Sequence, residues 1–188
     1  MKKVLLLLGS VWLLSGCAAV LVGGAAVSTI TVNEDPRSLG AQIDDTTYAT
    51  KIRSALSETP AIEKNANVNV HVYNGAVLLT GQAQNNNIKA EAERVAAAAA
   101  DIVTVHNQIR IANSTAVSTQ AHDVWLSSKV RASLLANKQV NSLKIDVVVE
   151  DSEVFLMGIV TEAEAQRAID EVRNISGVTK VFSAFEIN

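Results

Sequence analysis

The stretch Val68-Asn69-Val70-His71-Val72-Tyr73-Asn74-Gly75-Ala76-Val77-Leu78-Leu79-Thr80-Gly81 decides the fold. Val68, Val70 and Val72 alternate with Asn67, Asn69 and His71, the period of a strand with one buried face. Asn74-Gly75 supplies the positive φ angles of a tight hairpin turn, after which Val77, Leu79 and Gly81 resume the alternation. The same framework returns 77 positions later as Val147, Val149, Val154, Leu156 and Gly158. Upstream, Lys51-Ile52-Arg53 and Leu56 return 78 positions later as Lys129-Val130-Arg131 and Leu134; downstream, Val105 and Ile111 return 76 later as Val181 and Ile187. Offsets that shrink by single steps while the order is kept are what small loop deletions leave in a duplicated domain.

Two units follow, 46–112 and 122–188, joined by a small polar linker over 113–121. In the first, Tyr48, Ile52, Ala55 and Leu56 share a helical face that Pro60 terminates. Ile88, Ala92, Val95, Ala96 and Ala99 form a second helical stripe, and Val103 to Ile111 returns as a strand. The expected fold is α+β, with two tandem αββαβ domains. Each has a small mixed three-stranded sheet covered by two helices on one face.

Ahead of the repeats, Lys2 and Lys3 precede an apolar run from Val4 to Leu14 that is far shorter than the ~20 residues a membrane-crossing helix needs. A basic start, a short apolar core and small residues before the cut make residues 1–16 a cleavable signal peptide. Leu14-Ser15-Gly16-Cys17 resembles the lipobox of bacterial lipoproteins, in which the cysteine is acylated and becomes the mature N-terminus. Cys17 is the only cysteine, so no disulfide partner competes for it. Residues 17–45 then form the lipidated N-terminus and a tether. Ala18 stands where an aspartate would, by the same resemblance, signal inner-membrane retention, so the expected site is the outer membrane, facing the periplasm.

The strand and helix order, the glycine closing the second strand and Val105-His106-Asn107-Gln108-Ile109 resemble the BON domain, named for osmotically induced and nodulation-related bacterial proteins. Two such units behind a lipobox, with Asp35-Pro36-Arg37-Ser38-Leu39 before the first, are similar to the dual-BON outer-membrane lipoproteins. The resemblance implies a non-enzymatic role in outer-membrane integrity. It also implies anionic phospholipid binding through the second domain and concentration at the division site; the alternative is a protein-interaction scaffold for outer-membrane assembly or division machinery, whose proteins would then be its partners. One departure is Ser183, which stands where the first unit has Asn107.

Chemistry gives little to set against that reading. With Lys2 and Lys3 gone from the 16 Lys plus Arg, 19 Asp plus Glu leave a net charge of about −5, which does not attract nucleic acid. His71, His106 and His122 lack metal-ligand spacing, and there is no glycine-rich phosphate loop. No catalytic, metal or cofactor site is expected. Glu162 and Glu164 open a helix, where negative charge complements the dipole.

The informative comparison is between the units, because what the fold alone demands recurs in both. Trp125 and Leu135 correspond to the polar Thr47 and Ser57. At 100° per residue Trp125, Ala132, Leu135 and Ala136 form a second face opposite the core stripe, with Lys129 beside them. His122 to Gln139 carries Lys129, Arg131 and Lys138 against Asp123, a local net charge of +2. A tryptophan among lysines suits a lipid-headgroup layer. The expected lipid-binding residues are therefore Trp125, Ser128, Lys129, Ala132, Leu135 and Lys138, with packing against the first unit or the tether as the alternative for Trp125 and Leu135. Val148, Phe155 and Met157 lie out of phase with the core positions and are expected to meet the first unit, or another envelope protein.

Overall fold

The computed structural model describes residues 35–100, 102, 104–112 and 117–188. The signal peptide, Cys17, the first part of the tether and positions 113–116 of the linker lie outside the described residues. The first unit contains α1 (Leu39–Ser57), α2 (Pro60–Asn65), β1 (Ala66–Tyr73), β2 (Ala76–Ala83), α3 (Asn86–Ala99), β3 (Thr104–Asn107) and β4 (Arg110–Ile111). The second contains α4 (Val117–Ala136), β5 (Ile145–Glu150), β6 (Glu153–Val160), α5 (Glu162–Arg173) and β7 (Lys180–Ile187).

Both sheets are mixed. β1 and β2 pair antiparallel and β3 and β4 add to β2 in parallel, while β6 carries β5 antiparallel on one edge and β7 parallel on the other. The parallel step requires a crossover, and α3 and α5 provide it. Asn85 caps α3 by accepting from the Ile88 N–H at 3.1 Å, and Thr161 caps α5 in a reciprocal box with Glu164. Helix and sheet enclose one apolar core per unit. Ile52, Leu56, Val77, Leu79, Ala92 and Ala96 fill the first, and Leu126, Val130, Leu134, Val154, Leu156 and Ala168 the second. Burying each large aliphatic side chain contributes about 1.5–3 kcal/mol.

Glycine closes β2 and β6 for a reason of space. A Cβ on Gly81 would run into the Asn67 carbonyl oxygen of β1, and one on Gly158 into the Lys144 carbonyl oxygen just before β5.

The elements differ from the sequence expectation in four places. α1 starts at Leu39 rather than near 46, because Ser38 caps it by accepting from the Ala41 N–H at 3.0 Å. Pro60 does not simply end a helix. It occupies the first position of α2, where its missing N–H has no intrahelical role. α4 begins at Val117, inside the segment read as linker. The final strand of the first unit is broken into β3 and β4, because Asn107 Oδ1 accepts from the Ile109 N–H at 3.2 Å and turns the chain.

Candidate functional site

α4 is anchored from beneath and bare above. Leu126, Val130 and Leu134 are buried in the core, and Asp123 fixes the helix start by accepting from the Asp151 and Ser152 N–H groups at 2.7 and 2.9 Å. Those N–H groups belong to the β5–β6 turn, where φ is +50° and +64°. The first unit repeats the device. Asp45 of α1 accepts from Asn74 and Gly75, both at 2.8 Å, and also from Arg37 at 2.9 Å. Arg37 in turn holds the Asp35 carboxyl below its ordinary range. A carboxylate bonded to two turn N–H groups locks a helix onto its own hairpin. The rotational setting of α4, and so the direction of its outer face, follows from that lock.

On the outer face Val124 is 70% exposed, Trp125 54% and Leu135 71%, and Ser128, Ala132 and Lys138 are exposed between and beyond them. Trp125 stands between two potential cations. Lys129 Nζ lies 5.1 Å from its ring centre, and the His122 ring 5.6 Å away at a tilt of 38°. Lys129 also donates to the Ser176 carbonyl at 2.7 Å, which leaves other N–H bonds of the ammonium for a second acceptor. Next to Ser176, Gly177 takes φ +106°, and a Cβ there would come within 3.3 Å of the Leu126 side chain, so this loop packs beside the tryptophan end of the helix.

Of the six residues read from the sequence as lipid-binding, Trp125, Ser128, Lys129, Ala132 and Leu135 lie on α4 and Lys138 in the turn just after it, all exposed or half-buried. Arg131, counted in the local charge, is turned away. It bonds the Val147 carbonyl at 2.5 Å and Asp146 at 3.2 Å at the edge of β5. Val124 was missed, although the same unit-to-unit comparison sets it against Thr46 and reveals it. On α1 the corresponding surface is polar. Thr46, Thr47 and Thr50 each donate to the carbonyl four residues back at 2.9 Å. Apolar exposure on α1 is confined to Leu39 and Ile43 in its opening turns.

The two sheets meet through the faces that the helices leave uncovered. Val148, Phe155 and Met157 are buried in one cluster with Tyr73 and Leu78 of the first unit, and Phe155 stacks on Phe182 at 4.9 Å. Polar contacts rim this cluster. Tyr73 Oη donates to the Lys144 carbonyl at 3.2 Å, Asn69 and Gln82 donate to Glu150 at 3.1 and 2.8 Å, and Arg110 pairs with Asp151. Arg37 lies 3.9 Å over the Tyr73 ring, which ties the segment entering α1 to the same seam.

His71 faces this seam from β1. Burial lowers its pKa, Arg53 adds to the lowering, and Asp146 opposes it. A histidine whose folded pKa is depressed leaves stability intact above the unfolded value, about 6.5, and removes it as pH falls through the folded value. His71→Gln should therefore lose less thermal stability than the native chain between pH 7.5 and pH 5.5. Equal losses, read by thermal unfolding, would exclude His71 as a source of acid sensitivity.

Among the described residues no group of three or more acidic, histidine or cysteine side chains is placed to hold a metal ion, and no helix is long and apolar enough to cross a membrane. A family model of the BON domain matches residues 44–113 and again 122–188. The chain belongs to the BON-domain family. Over 186 residues it is 36% identical to "Outer membrane lipoprotein DolP" of Haemophilus influenzae, covering 99% of this chain and 96% of that one. It is also 36% identical over 147 residues to the "21 kDa hemolysin" of Actinobacillus pleuropneumoniae, covering 78% of this chain and 76% of that one. "Osmotically-inducible protein Y" of Escherichia coli is 27% identical over 153 residues, with 80% and 76% covered. The exposed apolar face therefore sits on the first helix of the second BON domain, and the first BON domain carries threonines in its place.

Proposed function

We propose that this protein is a non-enzymatic, lipid-anchored component of the bacterial envelope. Acylation at Cys17 holds it to the outer membrane on the periplasmic side, and α4 of the second BON domain docks on anionic phospholipid to support membrane integrity at the division site. The likeness to an outer membrane lipoprotein over nearly the whole chain supports the compartment. The observation that carries the lipid reading is the exposed Trp125, Val124 and Leu135 on one helix, with Lys129 at the tryptophan ring.

Physically, an aromatic ring that is apolar on its faces and polar at its N–H is at home among headgroups, and each nearby lysine adds about 1 kcal/mol at an anionic surface. Trp125 is the only tryptophan outside the leader, so its fluorescence reports this site alone. Adding phosphatidylglycerol vesicles should shift its emission to the blue, and the shift should weaken with salt as screening shortens to ~8 Å at physiological ionic strength. Phosphatidylcholine should give little change. No shift with either lipid would remove the docking reading and favour α4 as a protein-binding surface for outer-membrane assembly or division machinery.

A further inference from the structure

The two BON domains end in strands of different construction. In the first, Asn107 Nδ2 donates to the Lys89 carbonyl at 2.9 Å and to Glu93 at 3.0 Å while its oxygen accepts from Ile109, and the edge strand is interrupted at Gln108 and Ile109. In the second, the position is Ser183, too short to reach across, and β7 runs unbroken over eight residues. Among the described residues β7 pairs with β6 along its whole length and with no other strand, so it forms a long regular sheet edge. Such an edge is a template for another strand unless something blunts it, and the asparagine that blunts it in the first domain is missing here.

The direction of the unpaired groups follows from one bond. The Asn188 N–H donates to the Val160 carbonyl at 3.1 Å, so by strand alternation the even-numbered residues of β7 turn their N–H and C=O toward β6. Those of Val181, Ser183, Phe185 and Ile187 turn outward. Lys180 and Glu186 are exposed at opposite ends of one face, the face on which Phe182 stacks against Phe155. Both are held in place: Lys180 Nζ lies 4.1 Å over the Phe182 ring, and Glu186 accepts from Asn74 at 2.7 Å.

We infer that β7 pairs antiparallel with β7 of a second copy, Ser183 against Ser183, to make a continuous six-stranded sheet across a two-fold axis. Outward-facing groups can meet only in registers that set odd residues opposite odd ones. With Ser183 on the axis, Val181 lies opposite the second copy's Phe185, Phe182 opposite Ala184, and Lys180 opposite Glu186, twice over by symmetry. The Lys180–Glu186 positions are then non-hydrogen-bonded pairs, whose side chains approach most closely, at a Cα separation of about 4.5 Å. Shifting the register by one step on either side sets Lys180 against Ala184 or Asn188 and loses both ion pairs. Parallel pairing in register would set lysine beside lysine and glutamate beside glutamate. Charge thus selects one arrangement, and it is an isologous one that closes at two copies.

The test uses the full chain in vesicles, where Cys17 is the sole native cysteine. Ser183→Cys should form a reducible dimer under mild oxidation at least ten times more readily than Asn87→Cys, an exposed control on α3. Lys180→Glu or Glu186→Lys in the Ser183→Cys background should cut that yield at least ten-fold, and the two together should restore it. Independently, the native chain in detergent should sediment as a dimer and Ser183→Pro as a monomer, because the N–H lost at Ser183 faces away from β6. Yields no higher than for Asn87→Cys, yields indifferent to the charge reversals, or capture of the introduced thiol by a different protein would each overturn the pairing.

Discussion

Replacing Trp125 with glutamate should remove most phosphatidylglycerol binding and leave the fold intact. Roughly half of the side chain is already covered in the free protein, so docking buries about 100 Å2 more, worth about 2–3 kcal/mol or close to 50-fold in affinity. The new carboxylate adds repulsion from the lipid phosphates. Folding should be indifferent, since Trp125 is 54% exposed and the matching residue of the first domain is Thr47. Lys138→Glu should weaken binding by about 1 kcal/mol from lost attraction, with a further penalty from repulsion. Lys129→Glu should cost more than Lys138→Glu, because Lys129 also pins the loop at Ser176. Vesicle flotation with circular dichroism separates the outcomes. Retained binding by a folded Trp125→Glu chain would remove α4 as the docking element, and an unfolded chain would mean that the tryptophan belongs to the core.

Phe155→Glu should separate the two domains. Phe155 is 2% exposed, stacked on Phe182 and enclosed by Tyr73, Leu78 and Met157. Truncation of a buried phenylalanine to alanine costs about 3–5 kcal/mol, and an unpaired buried carboxylate costs more. The chain has a cheaper alternative to unfolding. Opening the seam returns the carboxylate to water and sacrifices only the interdomain contacts, while the core of Leu126, Val130, Leu156 and Ala168 on the other sheet face is untouched. The expected result is a folded second domain, loss of nuclear Overhauser contacts between the Tyr73 ring and Lys144, and faster proteolysis between the domains. Global unfolding, or unchanged Tyr73 contacts, would show that the seam and the domain core do not separate in this way.

The duplication was legible because its signals are local. Alternating valines, Asn74-Gly75, the closing glycines Gly81 and Gly158 and the helical stripes recur at offsets of 76 to 78, and local periodicity survives in sequence whatever the tertiary contacts are. The same comparison exposed Trp125 and Leu135, since apolar residues placed where the sister domain has polar ones are not needed by the core. Other features were not legible. Asp45 and Asp123 each capture two turn N–H groups from some thirty residues away, and no residue pattern marks which helical aspartate will reach a hairpin. Arg131 looked like part of a cationic face until its guanidinium was seen bonded to the Val147 carbonyl.

The amino-acid sequence by itself determined the two repeats and the two-faced character of α4, and it is the source of the expected leader and acylation motif, because each is a matter of order, spacing and polarity along a short stretch of chain. Tertiary structure alone decided that α4 is locked by Asp123 with Trp125 outward, that the sheets close on one another around Phe155, and that β3 and β4 are severed while β7 is left whole. Those outcomes depend on hydrogen bonds and packing between residues far apart in sequence, whose geometry exists only once the chain has folded.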